Sequence, residues 1–169
     1  PKKSPYNGRP PLRTARTARE WVLTMEMQPM VPLRIMVNGL PGSMAAEVVR
    51  TAQADGGFDL IPHACTGAGI MEESATIGGR CFALIRPDRR DAAMTRIKKE
   101  CAPFITVDFS HPTAVNANAA FYCREGLPFV MGTTGGDRAA LEQTVAGSRI
   151  PAVIAPNMAK QIVGLQMML

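Results

Sequence analysis

The chain has 169 residues, 46% hydrophobic and 20% charged, enough apolar mass for one domain with a core of its own. Its formal charge of +5 would favour nucleic acid if it were spread over a face, but residues 1–34 hold seven basic and two acidic side chains and residues 35–169 hold twelve of each. A neutral body offers no basic surface to a phosphate backbone, and no apolar run approaches the roughly 18 residues a membrane span needs.

Residues 1–32 form an N-terminal extension with many prolines and arginines and few acids. That composition reads either as an organellar transit peptide or as a disordered extension with no address. From Leu33 the pattern changes. "LRIMVN" reads as a buried strand and "SMAAEVVRTAQA" as a helix with small and apolar residues on one face, ended by Gly56 and Gly57. "FDLIPHAC" reads as a second strand, and residues 67–87 as a Gly-rich stretch with one strand-like run, "RCFALI". "DRRDAAMTRIKKE" is a polar helix with Asp88 as its expected N-cap. "PFITVDF" follows as a strand, then "PTAVNANAAFYCRE" as a helix with Pro112 in its first turn and Gly126 past its end. "LPFVMG", "DRAALEQTVAG", "PAVIA" and "KQIVGLQMML" continue the alternation of strand and helix.

Short apolar strands alternating with helices imply βαβ units, hence a Rossmann-like α/β fold: a parallel sheet with helices on both faces. Cys65, Cys81, Cys101 and Cys123 are far apart, with no C-x-x-C and no His pair nearby. That spacing fits neither a zinc site nor a disulfide scaffold, and no metal is expected. His63 and His111 are isolated and read as core or loop histidines.

In an open parallel sheet, ligands sit beyond the carboxyl ends of the strands. The first such loop, Gly39-Leu40-Pro41-Gly42-Ser43-Met44, resembles a phosphate-cradling turn. Gly39 permits the tight exit from the strand, and Gly42 lets the backbone approach an anion at the helix N-terminus. Pro41 removes one N–H donor, and Ala45 stands where the last glycine of the fingerprint is usual. The turn therefore reads as a cofactor cradle or as a plain connection. The second loop, Ala64-Cys65-Thr66-Gly67, has no carboxylate for a ribose and no arginine for a 2′-phosphate, so use of both NADH and NADPH is expected. Asp108, at the end of "FITVDF", could contact a ribose or cap the next helix. Gly132-Thr133-Thr134-Gly135-Gly136 concentrates two hydroxyls among glycines, more than a plain turn needs. Ala155, Pro156, Asn157 and Met158 end the last strand, where the Asn amide can both donate and accept.

"VNGLPGSM", "VDFS", "NANAAFYCREGLPFVMGTTGGDR" and "APNMAKQ", in this order, resemble the dihydrodipicolinate reductase (4-hydroxy-tetrahydrodipicolinate reductase) family, the plant-like branch above all. The resemblance covers about residues 33–169 and implies NADH- or NADPH-dependent reduction of 4-hydroxy-tetrahydrodipicolinate in the diaminopimelate route to lysine. It implies cofactor contacts at Gly39, Leu40, Pro41, Gly42, Ser43 and Met44, at Gly132, Thr133 and Thr134, and at Ala155, Pro156, Asn157 and Met158. Cys65 and Thr66 fall where such proteins choose between the two cofactors, and Thr134 is expected to touch substrate as well. Ser43 stands where the family usually has a basic residue. The resemblance also implies a homo-oligomer for the full-length family and a plastid location, with cytoplasm as the alternative.

On this reading residues 33–158 are the dinucleotide-binding domain, and 159–169 begin a helix leading to a substrate domain missing from the chain. The family's H-H-x-x-K type motif, which carries catalysis in that domain, does not occur in these residues. No catalytic residue is therefore assigned here. The expected alternative to an incomplete enzyme is a catalytically inactive NAD(P)-binding fragment or module. A related small-acid dehydrogenase such as homoserine dehydrogenase is disfavoured by the GTTGGD stretch.

Overall fold

The computed structural model describes residues 31–155. Residues 1–30 of the N-terminal extension, Pro156, Asn157, Met158 and the terminal helix expected over 159–169 lie outside the described residues.

β1 (Leu33–Asn38) leads through the Gly39–Gly42 turn into α1 (Ser43–Ala54), and the chain returns along β2 (Phe58–Leu60) and β3 (His63–Cys65). β4 (Ser74–Ile77) and β5 (Arg80–Ile85) follow, then α2 (Arg90–Cys101) and β6 (Ile105–Asp108). A 3-10 turn, Pro112–Ala114, opens α3 (Val115–Glu125), and β7 (Phe129–Met131), α4 (Arg138–Ala146) and β8 (Ala152–Ile154) complete the order. One parallel sheet runs β2-β1-β6-β7-β8, and a second runs β3-β5-β4.

The stretch expected to be one second strand is thus two. Ile61 still donates to the Ile35 carbonyl on β1, but Pro62 has no N–H with which to continue that ladder. The Pro62 carbonyl instead accepts from Ala83, and β3 pairs parallel with β5 from His63↔Ala83 to Cys65↔Ile85. Gly39 then donates to the Cys65 carbonyl at 2.8 Å, which ties β3 back to the end of β1. Taken as one interrupted strand, β2 and β3 bridge the two sheets. Strands then spread from β1 in both directions, and the order reverses between β1 and β6, the place where such folds bind ligands.

β4 was not legible as a strand. It pairs antiparallel with β5 across Gly78 and Gly79, whose φ values of 57° and 80° suit the two central positions of a hairpin turn that needs positive φ at both. Between β3 and β5 the chain therefore has a loop and this hairpin strand rather than a helix. A second difference concerns α2, which starts at Arg90 with Arg89 in the N-cap position and no side-chain cap. Arg89 donates to the Arg86 carbonyl in a preceding turn, and Asp88 faces Arg86 at 3.5 Å instead of capping the helix.

Alternation along β1 feeds both faces of the sheet. Ile35 and Val37 pack with Ala45, Ala46, Val49 and Ala52 of α1. Met36 packs on the other side with Met94 and Ile97 of α2, Phe121 and Tyr122 of α3 and Leu141 of α4. Ala45 has no exposed surface, and its single methyl group is small enough to keep α1 close to the strand. Helices thus cover both faces, as the alternation of elements implies.

Candidate functional site

At the exit of β1, Gly39 has φ +101°, and a Cβ there would run into the Phe109 carbonyl. Only glycine takes this path without strain. Gly42 donates to the Gly39 carbonyl at 2.9 Å, and a Cβ on Gly42 would stand 2.8 Å from the same oxygen. Leu40 is fully buried and anchors the turn. Pro41, Gly42, Ser43 and Met44 face outward. No side chain caps the N-terminus of α1, so its first N–H groups are open to an anion, and the helix dipole favours negative charge there.

This turn forms one wall of a cleft of about 720 Å³ at the carboxyl edge of the sheet. Cys65 and Thr66 follow from β3, Pro87 from the β5–α2 connection, Arg90 from the start of α2, and Phe109, Ser110, His111, Thr113 and Ala114 from the segment after β6. Thr66 ties two of these walls by donating its hydroxyl to the Leu40 carbonyl at 2.6 Å. No carboxylate lines the cleft among the described residues, and Arg90 brings a permanent positive charge.

Gly39, Leu40, Pro41, Gly42, Cys65 and Thr66 are therefore brought together as expected from the sequence, with Ser43 and Met44 next to them at the start of α1. Gly132, Thr133 and Thr134 are not among the residues that line this cleft. A Cβ on Gly132 would strike the Phe109 ring, so that glycine packs behind the aromatic wall. The two hydroxyls expected to face a cofactor are also split. Thr133 is buried and donates to Asp108 Oδ1 at 2.9 Å, whereas Thr134 is exposed. Ala155 donates to the Met131 carbonyl at the end of β7.

Asp108 caps no helix and is not among the residues that line the cleft. It has no exposed surface and receives five donors. Oδ1 accepts from the Ser110 N–H at 3.0 Å, the Ser110 hydroxyl at 2.7 Å and Thr133. Oδ2 accepts from Asn118 at 3.0 Å and Tyr122 at 2.6 Å. The Tyr122 oxygen accepts from Asn38 Nδ2 at 3.0 Å, and Asn38 Oδ1 accepts from the Cys65 N–H at 2.8 Å. A buried carboxylate is tolerable only with such a full set of partners.

Burial, reinforced by the Asp108 charge, pushes the Tyr122 hydroxyl well above its usual range and keeps it protonated as a donor. Burial also pushes the Cys65 thiol up to about 12, against the opposing pull of Arg90. Cys65 is thus a neutral packing group and not a nucleophile.

Arg90, Asn118, Tyr122 and Asn38 were missed by sequence reasoning. They lie on three different elements, and although Asn118 and Tyr122 are one turn apart on α3, nothing in the chain announces that Arg90 and Asn38 converge on them. Phe109 and Ser110 belong to the loop that Asp108 opens at the carboxyl edge, as its place after a strand implies, and His111 extends that loop along the cleft. His111 accepts from the Thr113 N–H at 3.3 Å and so caps the 3-10 turn.

Residues 33–158 match the family model described as dihydrodipicolinate reductase, N-terminus. The chain is 40% identical over 134 residues to 4-hydroxy-tetrahydrodipicolinate reductase 2, chloroplastic, of Arabidopsis thaliana, an alignment covering 78% of this chain and 37% of that protein. It is 38% identical over 131 residues to 4-hydroxy-tetrahydrodipicolinate reductase 1, chloroplastic, of the same plant, again over 78% of this chain and 38% of that protein. A solved dipicolinate-bound dihydrodipicolinate reductase from Paenisporosarcina sp. TG-14 shares the fold, with a TM-score of 0.60 at 20% identity, over 82% of this chain and 51% of that one. The chain thus spans less than two-fifths of the length of these two plant relatives.

Proposed function

The chain belongs to the dihydrodipicolinate reductase family, and from that premise we propose that it forms the nucleotide-binding part of a 4-hydroxy-tetrahydrodipicolinate reductase. The reaction is NADH- or NADPH-dependent reduction of 4-hydroxy-tetrahydrodipicolinate to tetrahydrodipicolinate on the diaminopimelate route to lysine. The observation that carries the reading is the shared cleft. The glycine-opened turn and uncapped α1 face Cys65 and Thr66 across a space that no carboxylate lines among the described residues.

Those features suit a dinucleotide. The N–H groups at Ser43 and Met44 hold the pyrophosphate, Gly42 gives it room, and Cys65 and Thr66 border the adenosine ribose. When bound, the cofactor supplies hydride. This chain's residues bind and orient it, with Phe109 and Leu40 excluding water from the wall they form. Thr133 contributes through the backbone, its hydroxyl being bonded to Asp108. Thr134, Ala155, Pro156, Asn157 and Met158 complete the nicotinamide end, and Thr134 also touches the substrate. The H-H-x-x-K type motif is not found in the sequence, so these residues by themselves are proposed to bind cofactor weakly and to turn over little or no substrate. Plastid residence and a homo-oligomeric full-length enzyme belong to the same proposal, which the chloroplastic names of the plant relatives support.

Isothermal titration of the purified chain with NADPH and with NADH tests the reading. Saturable 1:1 binding of at least one is expected. No heat of binding for either up to millimolar concentration would overturn it.

A further inference from the structure

The loop after β3 has no arginine, so sequence reasoning expects no strong choice of a phosphorylated cofactor. The fold supplies a cation from elsewhere. Arg90, the first residue of α2, lies 25 positions beyond Cys65 in the chain, yet both line the same cleft. Its guanidinium is held in place on two sides. One N–H group donates to Asn118 Oδ1 at 3.1 Å, and the carbon centre stands 4.3 Å from the centroid of the buried Phe121 ring. Asn118 is itself fixed by its bonds to Asp108 and Ser110. A guanidinium so oriented keeps further donors for another acceptor, and its planar fork suits a phosphate.

The position has a chemical meaning. In this kind of sheet the ribose nearest the adenine lies beyond the second strand, here at Cys65 and Thr66, while the pyrophosphate lies at α1. Arg90 belongs to the first of these places, since it lines the same cleft as Cys65 and Thr66, and its charge is felt at the Cys65 thiol. Without a carboxylate among the described lining residues, nothing in that wall repels a phosphomonoester or competes for the arginine.

The geometry points to Arg90 as the residue that selects the 2′-phosphorylated cofactor, binding the adenosine 2′-phosphate of NADPH from α2 instead of from the loop after the second strand. The inference rests on the dinucleotide reading of the cleft and adds to it a direction of preference and the side chain responsible.

The test is a set of titrations with NADPH and NADH on the full chain and on the Arg90→Gln and Arg90→Lys variants. Gln can keep a hydrogen bond to Asn118 without the charge; Lys keeps the charge without the fork. The unmodified chain is expected to prefer NADPH, and that preference to weaken as ionic strength rises. Arg90→Gln is expected to weaken NADPH roughly 10- to 100-fold, the range for a lost charged hydrogen bond, with NADH changed less than about two-fold. Arg90→Lys should fall between. Retained NADH binding shows in the same experiment that the variants are folded. Equal losses for both cofactors, or a preference indifferent to Arg90, would overturn the assignment and leave the dinucleotide reading standing. Absence of binding by the unmodified chain would remove both.

Discussion

Tyr122 on α3 donates its hydroxyl to Asp108 on β6 at 2.6 Å, and both residues are shut away from solvent. The same oxygen receives Asn38 from β1, so one phenol joins two central strands and the helix that covers them. Tyr122→Phe keeps the ring contacts with Phe121 and Phe129 but takes a donor from Asp108 and an acceptor from Asn38. We expect a loss of about 1–3 kcal/mol. It is read as a lower urea midpoint with an unchanged slope.

Thr133 offers a way to separate structural from ligand-binding hydroxyls. Its bond to Asp108 Oδ1 predicts that Thr133→Val destabilises the fold by roughly 1–2 kcal/mol. Cofactor affinity is expected to stay within about two-fold of the unmodified chain when measured well below the melting temperature. A stable variant with abolished binding would instead show that the hydroxyl serves the ligand.

At Gly39 two penalties coincide. The φ of +101° is unfavourable for any L side chain, and the added carbon would meet the Phe109 carbonyl. Gly39→Ala is therefore expected to lose at least about 2 kcal/mol, from backbone strain alone, and to lower Tm in a calorimetric scan. Gly56, around which a Cβ would meet nothing, is the control; its substitution by Ala should leave Tm nearly unchanged.

Two groups make stability fall on acidification in separate windows. Burial, with help from Arg96, lowers the pKa of His63, whose Nδ1 is buried without a partner among the described residues. The neutral ring is favoured in the fold, so this contribution is complete above the ordinary value of 6.5 and is lost as pH falls toward the lowered one. The hydrogen bond from Lys98 at 2.8 Å lowers the pKa of Glu125, whose contribution is complete above its ordinary 4.5 and disappears below it. Denaturation midpoints followed from pH 8 to pH 3 should show two declines. His63→Gln should flatten the upper decline and Glu125→Gln the lower.

Much of this fold could be read from local pattern. The apolar run of β1, the alanine-rich face of α1 and the Gly126 terminus of α3, which has φ 68°, follow from periodicity and from glycine's freedom. The Gly39–Gly42 turn and its partners Cys65 and Thr66 were also legible, because strand order alone sends those loops to one edge. Asp108 shows the limit. Its place at a strand end was visible, but its five donors come from residues 110, 118, 122 and 133, and their meeting is a product of tertiary packing. Pro62 shows another. A single proline splits a strand between two sheets, while a run of eight suitable residues looks continuous on the page.

The bond from Thr66 to the Leu40 carbonyl and the one from the Cys65 N–H to Asn38 Oδ1 join segments that most ligands would have to order for themselves. Here the entropy of fixing those segments is lost during folding, before any ligand arrives. Association then requires little rearrangement of the described walls, and changes to their bonding should register first in how long a ligand stays rather than in how fast it enters.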